Sequence, residues 1–192
     1  MTTTASAEKL LTLLNNRLKN HIVESKLDLG DAVVRIHREG MREFFSVLKV
    51  ESEFRFDFLV SVTAVDWVDA RDERFEVVYH LMSIPHQWRL RVKIDVPETN
   101  PEVDSLVELW KSANFMEREA WDMLGVKFKG HPDLRRILMY DEFVGHPLRK
   151  DYPVQGKQPR VQLLNPEVRN TAVDMKRPAL VKINQRPASA AR

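Results

Sequence analysis

The chain has 192 residues, 43% of them hydrophobic and 30% charged, with a formal net charge of +2. That suffices for one domain with a real core plus an appendage, and keeps the surface well solvated. There is no cysteine, which excludes disulfide staples, cysteine-ligated zinc, iron–sulfur clusters held by this chain and a cysteine nucleophile.

Leu10, Leu14 and Leu18, flanked by Leu11 and Leu13, recur at helical spacing and predict an amphipathic helix over 7–20, with Ser6 as its N-cap. Residues 31–38 (DAVVRIHR) read as a short strand. Gly40 opens a second helix, with Met41, Phe44, Phe45 and Leu48 on one face. Phe56–Asp66 is rich in β-branched residues and reads as a central strand. Two strands of strict alternation follow. In the first, Phe75, Val77, Tyr79 and Leu81 share a face. In the second, Trp88, Leu90, Val92, Ile94 and Val96 oppose Arg89, Arg91, Lys93 and Asp95. Such alternation marks a sheet with one buried and one wet face, which favours antiparallel pairing. Ser83–Gln87 makes the hairpin link. Asn100-Pro101 signals a helix start, with Val103, Leu106, Val107 and Trp110 facing the core. Asn114 followed by Glu117 resembles a capping box and predicts a helix over 115–124, ended by Gly125.

This order predicts an α+β fold: a two-layer domain, residues 1–153, with helices on one face of a mainly antiparallel sheet. Beyond Pro153 periodicity disappears, and Pro159, Pro166, Pro178 and Pro187 punctuate a polar stretch. Residues 154–192 carry eight Lys/Arg against two acids, whereas the rest of the chain is mildly acidic. An extended basic arm that orders on a partner is expected. No apolar run approaches the roughly 20 residues of a membrane span. The first seven residues carry neither a secretory signal pattern nor the arginines of a presequence, so a bacterial cytoplasmic protein is expected.

The densest block is EREAWDMLGVKFKGHPDLRRILMYDEFVGHPLRKDYP, Glu117–Pro153. On a helix Arg118 and Asp122 share a face at i, i+4, and Glu119 and Asp122 at i, i+3. A carboxylate pair could perform acid–base or metal chemistry. With Arg118 between the glutamates and no nucleophile nearby, ion pairing within the chain or with a partner chain is the stronger reading. His131-Pro132 and His146-Pro147 could ligate metal or move protons, but proline pushes its neighbour into extended backbone, so each pair is equally a turn device. Arg135-Arg136 and Arg149-Lys150 alternate with Leu134, Ile137, Leu138, Leu148 and Tyr152, a mix that suits a protein interface better than nucleic acid. The nucleotide and hydrolase motifs G-x-G-x-x-G, G-x-x-x-x-G-K-[ST] and G-x-S-x-G are absent. The residues alone reach a soluble α+β subunit with a large interaction surface and a basic arm.

The block closely resembles the signature of the C subunit of proton-pumping NADH:quinone oxidoreductase, respiratory complex I. EREAWDMLGV, GHPDLRRIL and GHPLRKDYP appear in that order, preceded by a similar FDFLVSVTAVDW strand, RFEVVYHLMSI–WRLRVKIDV hairpin and SLVELWKSANF approach. The resemblance spans about residues 8–155. It implies a structural subunit of the hydrophilic arm, peripheral on the cytoplasmic side of the bacterial inner membrane. It implies no cofactor in this chain, with FMN and iron–sulfur clusters in partner subunits, and no catalysis by the chain alone. The implied partners are chiefly the D subunit, with the B and I subunits near the arm, and no nucleic acid. The chain's end after the arm reads as the form not fused to the D subunit. The implied signature and interface positions are Glu117, Arg118, Glu119, Asp122, Gly125, His131, Pro132, Asp133, Arg135, Arg136, Gly145, Pro147, Arg149, Lys150, Asp151, Tyr152 and Pro153. Relatives in membrane-bound hydrogenases and ferredoxin-dependent complexes are the alternative, and a nucleic-acid-associated protein anchored by the arm a remote one.

Overall fold

The computed structural model describes residues 4–156 and 158; the expected arm otherwise lies outside the described residues. The elements run α1 (Thr4–Arg17), a 3₁₀ turn (Lys19–His21), β1 (Ile22–Asp28), β2 (Asp31–Ile36), α2 (Met41–Val50), β3 (Phe58–Asp66), β4 (Phe75–Ser83), β5 (Trp88–Val96), β6 (Glu102–Asp104), α3 (Ala113–Leu124) and β7 (Lys127–Lys129).

Five strands form one sheet in the order β1-β2-β5-β4-β3. Within it only the β2–β5 pair is parallel. The fold is therefore α+β with a mainly antiparallel sheet, as expected from the sequence. Trp88, Leu90, Val92, Ile94 and Val96 are all buried. Register places Leu81, Tyr79, Val77 and Phe75 beside Leu90, Val92, Ile94 and Val96. The helices pack on this face: α1 against β1, β2 and β5, and α3 against β3. α2 brings Phe45 onto Tyr79, ring centroids 4.9 Å apart. Full burial of a side chain such as Phe44 contributes about 1.5–3 kcal/mol, and Leu10, Leu14, Met41 and Leu48 join it in the same core.

Four local expectations are corrected. Phe58–Asp66 is an edge strand, because β5 pairs with β2 on its far side and leaves only β4 for β3. Ser6 lies inside α1, and its hydroxyl accepts the Trp88 indole N–H at 2.9 Å. Asn114 also lies inside its helix, which begins at Ala113, and Glu117 reaches away from the helix start. No helix follows Asn100-Pro101. Residues 102–104 pair in parallel with β7, and Lys127 N–H donates to Pro101 O at 2.7 Å. The apolar spacing survives: Val103, Leu106, Val107 and Trp110 are buried, but from a strand and a following turn. Gly125 ends α3 as expected, at φ 80°.

Candidate functional site

The C-terminal half of α3 organises the whole block. Asp122 is fully buried. Its Oδ2 accepts the backbone N–H groups of Ile137, Leu138 and Met139 at 3.0, 2.8 and 2.9 Å, and its Oδ1 accepts Arg136 Nη1 at 2.5 Å. Burial pushes the Asp122 carboxyl up, but three backbone donors and a guanidinium outweigh it and hold the group below the usual carboxylate range. One turn earlier, Arg118 donates Nε to Arg135 O at 3.1 Å and Nη2 to Arg136 O at 2.9 Å. The shared face at i, i+4 is thus real. Its two charges do not pair with each other; both grip segment 135–139, one by its carbonyls and one by its N–H groups.

The end of α3 shows the same logic. A helix leaves its last four carbonyls without intrahelical partners. Here Gly125 N–H takes Trp121 O at 2.8 Å, His146 Nδ1–H takes Asp122 O at 3.0 Å, Leu148 N–H takes Met123 O at 3.0 Å and Arg149 Nε–H takes Leu124 O at 2.7 Å. Three of these four donors come from the second GHP motif and its sequel. Gly125 makes the approach possible. A Cβ there would lie 2.6 Å from His146 Cδ2 and closer still to the Arg149 guanidinium. Burial pushes His146 below its ordinary value, and the neighbouring Arg149 and Arg136 act in the same direction. A neutral ring serving as a donor fits that environment.

A second anchor joins the segment to the sheet. Asp66, at the end of β3, accepts Arg74 Nε and Nη2 at 2.9 Å each and Lys150 N–H at 2.9 Å. Arg74, buried beside it, also pairs with Asp151 at 2.9 Å and with Glu98. Hydrogen bonds to Asp66 and Asp151 raise the Arg74 pKa further. Burial raises the Asp66 carboxyl, but the Arg74 and backbone hydrogen bonds bring it below its usual range. Arg136 adds Nη2 bonds to Phe143 O at 2.6 Å and Gly145 O at 3.1 Å. Tyr152 stacks on Phe143, ring centroids 5.9 Å apart, with Gly145 beneath it.

Glu117 does separate work. It is fully buried, and it accepts Ser105 Oγ–H at 2.6 Å and Leu106 N–H at 2.7 Å, so it caps the turn that follows β6. Burial pushes its carboxyl up to about 7 against these two bonds. The first His-Pro pair is also local: His131 Nε2–H donates to Asn114 O at 3.1 Å and Nδ1 accepts Asp133 N–H at 3.0 Å. Asp133 and Arg135 pair with each other at the surface. Glu119, Pro132, Lys150 and Pro153 are exposed.

The anchor residues Asp66, Arg74, Glu98 and Ser105 stand outside the signature block. Asp66 carries a signal of its own, an acid closing a β-branched strand; Arg74 and Ser105 fall in the similar segments RFEVVYHLMSI and SLVELWKSANF, but no spacing there points to their partners Asp151 and Glu117. Among the described residues no group of three or more His, Asp or Glu is placed to hold a metal ion. What the arrangement achieves is shape. A segment with almost no regular structure is pinned to a helix end and a strand end. Its outer side carries Leu138, Tyr140, Val144 and Leu148 at 57, 40, 66 and 58% exposure.

Fold and site together define an α+β domain in which the segment after α3 is anchored to the end of α3 and the end of β3. Comparison with known proteins gives the family. Residues 34–158 match the family described as "Respiratory-chain NADH dehydrogenase, 30 Kd subunit". The C subunit of the NADH-quinone oxidoreductase of Citrifermentans bemidjiense is 45% identical over 152 residues, covering 79% of this chain and 92% of that one. The solved structure of a trypsin-resistant fragment (1-134) of Nqo5 is similar at 36% identity and TM-score 0.58, over 67% of this chain and 99% of the fragment. A chain of an archaeal membrane-bound sulfane sulfur reductase shares the fold, with TM-score 0.67 at 23% identity, over 77% and 86% of the two chains. The chain belongs to this subunit family of the respiratory-chain NADH dehydrogenase.

Proposed function

We propose that this chain is a structural subunit of the hydrophilic arm of a proton-translocating NADH:quinone oxidoreductase, on the cytoplasmic side of a bacterial inner membrane. It carries no cofactor itself. FMN and iron–sulfur clusters in its partners carry electrons from NADH to quinone. Its chief partner is the D subunit, with the B and I subunits near residues 154–192.

One observation carries the reading. In the block 117–153 the buried charges find partners within the chain, while Leu138, Val144 and Leu148 stand exposed among surface charges such as Glu119, Asp141, Glu142 and Lys150. A rigid segment presenting exposed Leu138, Val144 and Leu148 is arranged for burial against another protein. No helix among the described residues is long and apolar enough to cross a membrane, which agrees with attachment through partners. The family's name and that of the bacterial relative supply the complex.

Copurification tests this. A tagged chain recovered from membranes solubilised in mild detergent should bring stoichiometric FMN, iron–sulfur clusters and the D subunit. Recovery of the chain alone, or with nucleic acid only, contradicts it.

A further inference from the structure

The sheet face turned away from the helices carries a groove that the site above does not use. Register aligns two rows across it. Phe58 of β3 lies beside Met82 of β4, which lies beside Arg89 of β5. Next to this row run Ser61, His80 and Arg91. A bulge between Leu59 and Ser61 sets Val60 apart from the ladder. The resulting hollow has a volume of about 370 Å³. Phe58 and Val60 are 49% and 46% exposed, unusual for large apolar side chains side by side on a sheet.

The polar groups of the groove are committed, with one exception. His80 Nδ1 lies 2.9 Å from Ser61 Oγ, and Arg91 Nε–H donates to His80 Nε2 at 3.1 Å. An acceptor at Nε2 fixes the ring as the Nδ1–H tautomer. Arg91 faces Asp28 and Asp31 at 3.6 and 3.8 Å. Arg89 is exposed and has no ion pair among the described residues. The groove is therefore an apolar floor with one uncommitted guanidinium on its rim.

We propose that this groove docks an extended segment of another protein chain, one that lays an aliphatic or aromatic side chain over Phe58, Val60 and Met82 and sets a carboxylate on Arg89. The apolar floor supplies burial and the guanidinium a planar two-donor fork matched to a carboxylate. Charge disfavours the other occupants. Residues 154–192 of this chain carry eight basic residues against two acidic, and would bring cations to a cation. A second copy placed face to face would oppose two free guanidinium groups, since Asp28 and Asp31 already face Arg91. The inference rests on the reading of this chain as one subunit among several, and it adds a second contact face, on the opposite side of the sheet from α3.

Site-specific photo-crosslinking tests it. A benzophenone amino acid replaces Met82, or in a second strain Val60, in the chain expressed in its own cells. Membranes are irradiated and the linked peptide is sequenced by mass spectrometry. The expected product is one segment of a different subunit with Asp or Glu within a few residues of an apolar side chain. Arg89→Glu should lower its yield about tenfold, equivalent to about 1.4 kcal/mol, and a Lys at the mapped acid should restore it. A link to residues 154–192, a link to a second copy, no link at either position, or indifference to Arg89→Glu each overturns the proposal. FMN and iron are measured on the same membranes. Their copurification without a cross-link removes the groove and spares the proposed function; a mapped acidic segment without them does the reverse.

Discussion

Asp122 and Arg136 form the junction between α3 and the segment that follows it: one carboxylate oxygen takes the guanidinium at 2.5 Å, and the other takes the next three backbone N–H groups. The chain between them is thereby folded back onto the helix that precedes it. The charge is essential, because an acceptor with four donors and no solvent cannot be replaced by a group that also donates.

Asp122→Asn keeps the volume but turns one oxygen into an amide donor facing donors. Breaking a buried charge pair typically costs about 3–5 kcal/mol. The variant's urea midpoint should fall accordingly, and limited proteolysis should gain cuts between residues 130 and 150 that the parent resists. A midpoint within error of the parent would show that the junction is dispensable.

Glu117 gives stability a pH dependence of defined sign. Its folded pKa of about 7 lies above the ordinary 4.5, so the unfolded chain ionises first as pH rises. Its contribution is full below pH 4.5 and is lost as pH climbs through 7, with a slope reaching about 1.4 kcal/mol per pH unit. Glu117→Gln should abolish that slope between pH 5 and 7.5 while Gln still accepts the Leu106 N–H. Parallel curves for parent and variant would remove Glu117 as the titrating group.

Gly125→Ala meets two obstacles, a left-handed backbone and the space taken by His146 and Arg149. The backbone term alone is about 1 kcal/mol, and displacing the two caps of Asp122 O and Leu124 O adds roughly 1 kcal/mol for each hydrogen bond lost. Hydrogen exchange should quicken at the Leu148 amide, which is bonded to Met123 O. Unchanged exchange there would mean that the caps survive without the glycine.

Much of the body is legible in the sequence, for physical reasons. β4 and β5 are flanked by strands on both sides and have one face in the core, so Phe75, Val77, Tyr79 and Leu81 of β4 and Trp88, Leu90, Val92, Ile94 and Val96 of β5 recur with period two. β1 escapes such reading: it is an edge strand with none of its residues fully buried, so it carries no periodic signal. The stretch 100–110 misleads because apolar spacing records which side chains are buried and is silent on the backbone that buries them. Pairing with β7, on the far side of α3, decides that segment. At the site, the resemblance marks Asp122, Arg136, Gly125 and Arg149 as special, and helical geometry places Arg118 and Asp122 on one face. Neither tells what Asp66 and Arg74 hold, although the similar segments FDFLVSVTAVDW and RFEVVYHLMSI contain them, because their bonds to Lys150 and Asp151 join parts of the chain that are distant in sequence.

The most direct measurement separates holding a surface from performing chemistry. Leu148→Asp changes an exposed side chain while the Leu148 N–H can still cap α3. Assembled complex is quantified on native gels from membranes carrying this variant, and quinone reductase turnover is measured per assembled complex. Burying an unpaired carboxylate at an interface should lower the amount of complex about tenfold or more, with turnover per complex close to that of the parent. Normal assembly with collapsed turnover would contradict a positioning role and assign the segment a direct part in the quinone-coupled step.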